Sequence, residues 1–238
     1  MHELTQISKG RPISRAHLPR LLARLDWSTL NQLIERSFGV RLQPCDDQIW
    51  VAVDGKTLRG TLDAGEKQSL VLAITHDTRE IVGQARQIGS KSSEIPVVRT
   101  LLQETGLEKQ KVSLDAHHCN PKTTAQIHQA GGVYLTQGKG NQAVLLQQCQ
   151  AVVESQPSLA ETIEHDKAHG RITTRHARFY SMPQMAPAPR WKNSGLSVCV
   201  VMERNTNEVT TRKTTAETSY FVDSVSDLEL MFRQVKFL

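Results

Sequence analysis

The chain of 238 residues has few aromatics, 5% of the total, so any core it builds must be mostly aliphatic. No apolar run approaches the length of a bilayer span, which excludes an ordinary helical membrane protein. The start, MHELTQISKGRPISRAH, has basic residues with no apolar stretch behind them, so it does not read as a secretory signal. The four cysteines (45, 119, 149, 199) lack CxxC spacing. That argues against a zinc ribbon or a disulfide scaffold and suits a reducing cytoplasm. A phosphate-binding Gly-rich loop is missing, because Gly138-Lys139-Gly140-Asn141 lacks both the spacing and the Ser/Thr. There is no Gly-x-Ser-x-Gly elbow. His165 and His169 stand four apart, but no Glu follows the first, so the metalloprotease pattern is absent. What remains is a mildly basic chain, 29 Lys+Arg against 24 Asp+Glu, which permits nucleic acid as a partner without establishing it.

The periodicities divide the chain. Leu18, Leu21, Leu22 and Leu25 follow a helical stripe, and Asp26 or Ser28 caps a second helix that Gly39 ends. From Gln48 the texture changes to short apolar runs at 49–53, 69–74 and 81–88, joined by short polar links, which predicts an antiparallel meander. A helix with Pro96 in its first turn stops at Gly106. A strand at 111–114, a helix opened by Asn120-Pro121, a strand at 133–135 and a helix from about 141 to 153 follow. The order β-β-β-α-β-α-β-α implies a mixed sheet with helices packed on it. Strands are expected at 171–179, 196–202 and 218–224, with a Pro- and Met-rich loop at 181–190 and a helix start at 226–237. The predicted organisation is an N-terminal helical segment (1–47), an α/β core (48–153), a strand-rich insertion or appendage (154–217) and a last strand with a helix start (218–238).

Two carboxylates stand out. Asp54 follows the first apolar run in Val53-Asp54-Gly55-Lys56, and Asp115 follows the fourth strand in Leu114-Asp115-Ala116-His117. On neighbouring strands they would face one point, and like charges that close need a cation. Hard oxygen donors suit Mg²⁺ or Mn²⁺, the ions of phosphodiester chemistry. Each has a plainer reading too: Asp-Gly is a hairpin-turn signal, and Asp115 can simply cap the turn that follows. His117-His118-Cys119 looks like a metal cluster but has no second pair at zinc spacing. Lys139, Arg171 and Arg175 are candidate phosphate contacts, or ordinary surface charge.

Ile49-Trp-Val-Ala-Val-Asp-Gly-Lys-Thr-Leu-Arg-Gly60 is similar to the I-A-I-D-G-K-T-L-R-G segment of H-repeat-associated insertion-sequence transposases of the DDE superfamily. Further segments resemble that family in the same order: Lys91-Ser-Ser-Glu-Ile95, Val112-Ser-Leu-Asp-Ala116, Gly131-Gly-Val-Tyr-Leu135 with Lys139-Gly-Asn-Gln142, His169-Gly-Arg-Ile-Thr-Thr-Arg175 and Ser219-Tyr-Phe-Val-Asp-Ser224. The resemblance implies a ribonuclease H-like mixed sheet with flanking helices and a β-rich insertion. It implies Asp54 and Asp115 as the first two members of an Asp-Asp-Glu triad holding Mg²⁺ or Mn²⁺. It also implies strand cleavage and transfer on the double-stranded DNA of transposon ends, no membrane partner, and a homodimer as the assembly. Lys56, Arg59, Lys139, Arg171 and Arg175 then become candidate DNA contacts. The family's third carboxylate lies in an H-W-x-I-E-N segment that does not appear before Leu238. Asp227-Leu-Glu-Leu-Met-Phe-Arg233, around Glu229, does not match it. The expectation is a truncated, inactive copy in the bacterial cytoplasm. The alternatives are a non-catalytic DNA-binding remnant, and a metal-dependent nuclease recruiting Glu203, Glu217 or Glu229.

Overall fold

The structure, a computed structural model, describes residues 14–17, 20–21, 24–38, 49–57, 68–88, 94–168, 170–182, 189–211 and 213–225. The chain divides into two compact units, Met1–Gly39 and Val40–Leu238. In the first, helix α1 (Trp27–Phe38) begins after Asp26, whose Oδ2 accepts from the Thr29 backbone N–H at 2.8 Å. Asp26 is therefore the cap, the first of the two candidates the sequence offered.

The second unit is built on one nine-stranded sheet. In chain order its elements are β1 (Trp50–Thr57), β2 (Gln68–Thr75), β3 (Ile81–Ile88), α2 (Glu94–Thr105), β4 (Lys111–Leu114), α3 (Pro121–Gln129), β5 (Val133–Gly138), α4 (Ala143–Ser155), β6 (Ala160–Ala168), β7 (Arg171–Ser181), β8 (Val198–Glu208) and β9 (Thr214–Asp223). The strand order is β3-β2-β1-β4-β5-β9-β8-β7-β6. The first three strands form an antiparallel meander. β4 and β5 then join β1 in parallel through helical crossovers, and β9 to β6 continue antiparallel.

Alternation along the strands decides which face is covered. Val51, Val53, Val71 and Ala73 are buried, while Ala52, Asp54, Leu72 and Ile74 between them are only half-buried. Val98, Leu101 and Leu102 of α2, Ile127 of α3, and Leu145, Cys149 and Val152 of α4 join the strand residues in one core cluster. The helices of this unit thus pack against one face of the sheet. Their ends follow sequence rules. Gly106 takes the left-handed φ of 72° that stops α2, and Asn120 caps α3 through the Lys122 N–H with Pro121 at its first position. A smaller cluster, Ala177, Phe179, Val198, Val200, Met202 and Val225, lies on the opposite face.

Three expectations shift. β1 continues to Thr57, so Asp54-Gly55 is not a hairpin turn: Asp54 pairs with Leu72 and Gly55 with Val71. β8 and β9 run about one and a half times the length their apolar stretches predict, because cross-strand polar pairs extend the ladder beyond the core. β6 was not foreseen at all. Its sequence, AETIEHDKA, is exposed or half-buried on both faces, as befits an edge strand defended by charge. β6 to β9 thus belong to the same sheet as the core strands rather than to a separate layer.

Candidate functional site

The site lies where β1 outruns β4. Val53 pairs with Leu114 in parallel register, and β4 ends there while β1 goes on. Asp54, inside β1, and Asp115, the first residue past β4, therefore each follow the last paired residue of two neighbouring parallel strands, which run about 5 Å apart in the hydrogen-bonding direction. Both line one cavity of about 430 Å³ on the sheet face opposite the helices. Asp54 is 46% exposed and Asp115 52%, so neither carboxylate has been desolvated into the core.

Each is held differently. Asp54 forms an ion pair with Lys56, two residues on along the same strand face. The Lys56 ammonium is held above its ordinary value chiefly by that hydrogen bond and by the Asp54 charge, with the Asp115 charge adding in the same direction. Asp115 Oδ1 accepts from the backbone N–H groups of His117 and His118, at 2.9 and 3.2 Å, at the head of a 3₁₀ turn over Ala116–His118. The capping reading of Asp115 is thus correct and does not compete with its place in the groove. One oxygen caps, and the carboxylate still opens to solvent.

The groove continues across the sheet. Ser113, Gln137, Lys139, Arg204, Glu217, Ser219 and Phe221 line it with the two aspartates. On its floor the hydroxyl of Ser113 lies 2.7 Å from His76 Nε2. Burial holds the His76 imidazole below its ordinary 6.5, with Asp77 opposing the shift and Arg79 adding to it. A second cavity of about 380 Å³, lined by Arg171, Arg204, Thr206, Glu208, Lys213, Thr215 and Glu217, shares Arg204 and Glu217 with the first. Arg175 stands opposite Arg204 in the ladder, so it shares that face.

Of the expected DNA contacts, Lys56 and Lys139 are at the carboxylates' groove, and Arg171 and Arg175 lie farther along the arm. Arg171 is engaged by Glu208 at 3.7 Å. Arg59, His169 and Glu229 fall outside the described residues. Of the substitute carboxylates, Glu217 lines the groove, while Glu203 pairs with Arg178 and lies 3.8 Å from His176, away from it. Among the described residues, no three His, Cys, Asp or Glu side chains converge on one metal position.

His117-His118-Cys119 is not a metal cluster. The His118 ring is fully buried and turns to Glu94, 3.0 Å away. Cys119 is buried, and that burial pushes its thiol up to about 12, leaving it inert. Sequence reasoning missed His76, Ser113, Glu94 and Arg204. Only Glu94 had a marker, its place in Lys91-Ser-Ser-Glu-Ile95, and nothing in that string announces burial beside Gly55.

The donor set suits a hard divalent cation. Two carboxylates face one groove, and an ammonium already rests in their joint field, so the place is one that favours positive charge.

A family model described as Transposase DDE domain matches residues 47–220. The chain is 34% identical over 161 residues to an uncharacterized protein in the dhlA 3' region of Xanthobacter autotrophicus, covering 64% of this chain and 53% of that protein. It is 32% identical over 118 residues to the putative transposase YncI of Escherichia coli O157:H7, covering 47% and 30%. It is 30% identical over 141 residues to the H repeat-associated putative transposase YhhI of Escherichia coli K12, covering 55% and 36%. The chain therefore spans about half the length, or less, of these relatives.

Proposed function

The chain belongs to the DDE transposase family, and from that premise we propose that the groove between β1 and β4 is a divalent-metal site for phosphodiester cleavage and transfer on double-stranded DNA. One observation carries the reading: Asp54, on β1, and Asp115, the first residue past the end of neighbouring β4, line a single groove. A meander of three strands joined through helical crossovers to two parallel ones supports a ribonuclease H-like core. On this reading residues 154–217 are a β-rich insertion extending that core sheet.

The roles follow from the geometry. Asp54 and Asp115 supply the oxygens that hold Mg²⁺ or Mn²⁺. When bound, the ion would polarise a phosphodiester oxygen and lower the pKa of a water. Lys56, paired with Asp54, would be available to a phosphate wherever a cation took up that carboxylate. Lys139 and Arg204, on the same groove, meet the DNA backbone as positioning charges, with Arg175 and Arg171 farther out. The duplex is a transposon end, two copies of the chain act on two ends, and the three described cysteines, Cys119, Cys149 and Cys199, all buried and free, fit a reducing bacterial cytoplasm.

Among the described residues, Asp54 and Asp115 would leave most of the coordination sphere to water and substrate phosphate, so an ion there would be held weakly without DNA. We propose in consequence that this chain alone performs little or no strand transfer, and that metal-assisted DNA binding is its main measurable property. Duplex binding to a matching transposon end, with and without Mn²⁺, tests this. Binding should tighten with Mn²⁺, and Asp54→Asn should abolish the tightening. Metal-independent binding unaffected by that substitution would favour the non-catalytic remnant instead. Glu217 on the groove wall favours one further reading, a metal-dependent nuclease that recruits it. Cleavage lost in both Asp54→Asn and Glu217→Gln would select that reading.

A further inference from the structure

Behind the two aspartates lies a buried carboxylate with no role in the groove itself. Glu94 is the first residue of α2 and is 5% exposed. Its carboxylate lies against Gly55, the residue after Asp54. A Cβ at position 55 would overlap the Glu94 carboxylate atoms, so any side chain there would force that carboxylate to shift. The same carboxylate accepts from His118 Nε2 at 3.0 Å, and the His118 ring is 0% exposed. The backbone N–H of His118 in turn donates to Asp115 Oδ1, and its ring lies 3.9 Å from that oxygen.

One side chain from a helix therefore touches the strand that carries Asp54 and the turn that carries Asp115. The ladder between those strands ends at Val53–Leu114, so beyond it backbone pairing no longer fixes the two carboxylates relative to each other. We propose that Glu94, acting through His118, is a positioning residue that sets the Asp115 carboxylate opposite Asp54. This rests on the metal-site reading above for its functional part and on packing alone for its structural part. Gly55 in Asp54-Gly55-Lys56 and Glu94 in Lys91-Ser-Ser-Glu-Ile95 then answer one requirement, a carboxylate wedged behind the end of β1. Neither residue touches substrate or ion. A hydrogen-bonded partner behind a metal-ligating carboxylate typically changes metal affinity by about 10–100-fold when removed.

The test compares the 238-residue chain with Glu94→Ala, Glu94→Gln and, as a control on the exposed side of the same helix, Glu104→Ala. Amide hydrogen exchange at His117 and His118 reads the turn directly and needs no metal. Mn²⁺ titration reads the groove. Glu94→Ala should speed exchange at those two amides, leave β8 amides unchanged, and weaken Mn²⁺ binding about tenfold. Glu94→Gln, which keeps an acceptor for His118, should restore most of both. Glu104→Ala should change neither. Unchanged exchange in Glu94→Ala would overturn the brace. Faster exchange with unaltered Mn²⁺ affinity would overturn its positioning role. If the wild-type chain binds no Mn²⁺, the metal-site reading falls, and the brace is then judged on exchange alone.

Discussion

The two halves of the sheet are held by different forces. From β1 to β5, helices cover one face and the strands bury Val51, Val53, Val71, Val112 and Leu114 beneath them. From β6 to β9, burial fades along the strands. β8 is buried from Val198 to Met202 and then turns polar, and the distal ladder rests on pairs such as Arg171–Glu208 and Thr173–Thr206. Burial of an apolar side chain stabilises by about 1.5–3 kcal/mol, whereas an exposed ion pair contributes roughly 0–1 kcal/mol. Substitutions should therefore cost more in the core half than in the distal part of β6 to β9. The groove takes Asp54 and Asp115 from the more buried half, and Arg204 and Glu217 from the more exposed one.

Substitutions can break this contrast, the largest first. Leu102→Ala removes a fully buried side chain beneath β1–β5 and should cost about 2–5 kcal/mol in urea unfolding. Ile163→Ala, on edge strand β6 at 55% exposure, should stay within about 0.5 kcal/mol. Equal costs would dissolve the distinction between the halves. The Arg178–Glu203 pair on β7 and β8 offers a smaller effect. Its side chains are 30% and 38% exposed, so a double-mutant cycle with alanines should give a coupling of about 1 kcal/mol or less. A coupling several times larger would make the arm's polar ladder as rigid as the core.

The smallest expected effect is on pH dependence. His76, on the groove floor, is held below 6.5 mainly by burial. Above 6.5 both folded and unfolded chains are neutral there. As pH falls below 6.5, the unfolded chain takes up a proton that the folded chain still refuses, so stability declines toward the lower native value. His76→Gln should flatten that part of the profile, read as urea midpoints between pH 7.5 and 5.5. An undiminished slope would assign the loss to other groups.

Much of the core half was legible in the sequence because its signals are local. Apolar runs, Asn120-Pro121 and Gly106 mark the elements, and Asp54 and Asp115 mark the groove. The arm was harder. β6 has no apolar alternation, since an edge strand exposed on both faces has nothing to bury, and β8 and β9 outrun their apolar stretches because cross-strand partners, not composition, extend them. Asp54-Gly55 imitated a turn, but its glycine lies within β1, where it leaves room for the Glu94 carboxylate behind the strand. Asp115 had two readings that proved compatible, since one carboxylate oxygen can cap while the side chain faces solvent. His118 could not be placed from its string: only tertiary packing turns its ring toward Glu94.

On the proposed function, Asp54 and Asp115 form one seat for a divalent cation. The most direct measurement is Mn²⁺ titration of the full chain, wild type against Asp54→Asn and Asp115→Asn, followed calorimetrically. Such a seat should give saturable, weak binding in the wild type and its loss in each single variant. Binding that survives both substitutions unchanged would contradict it.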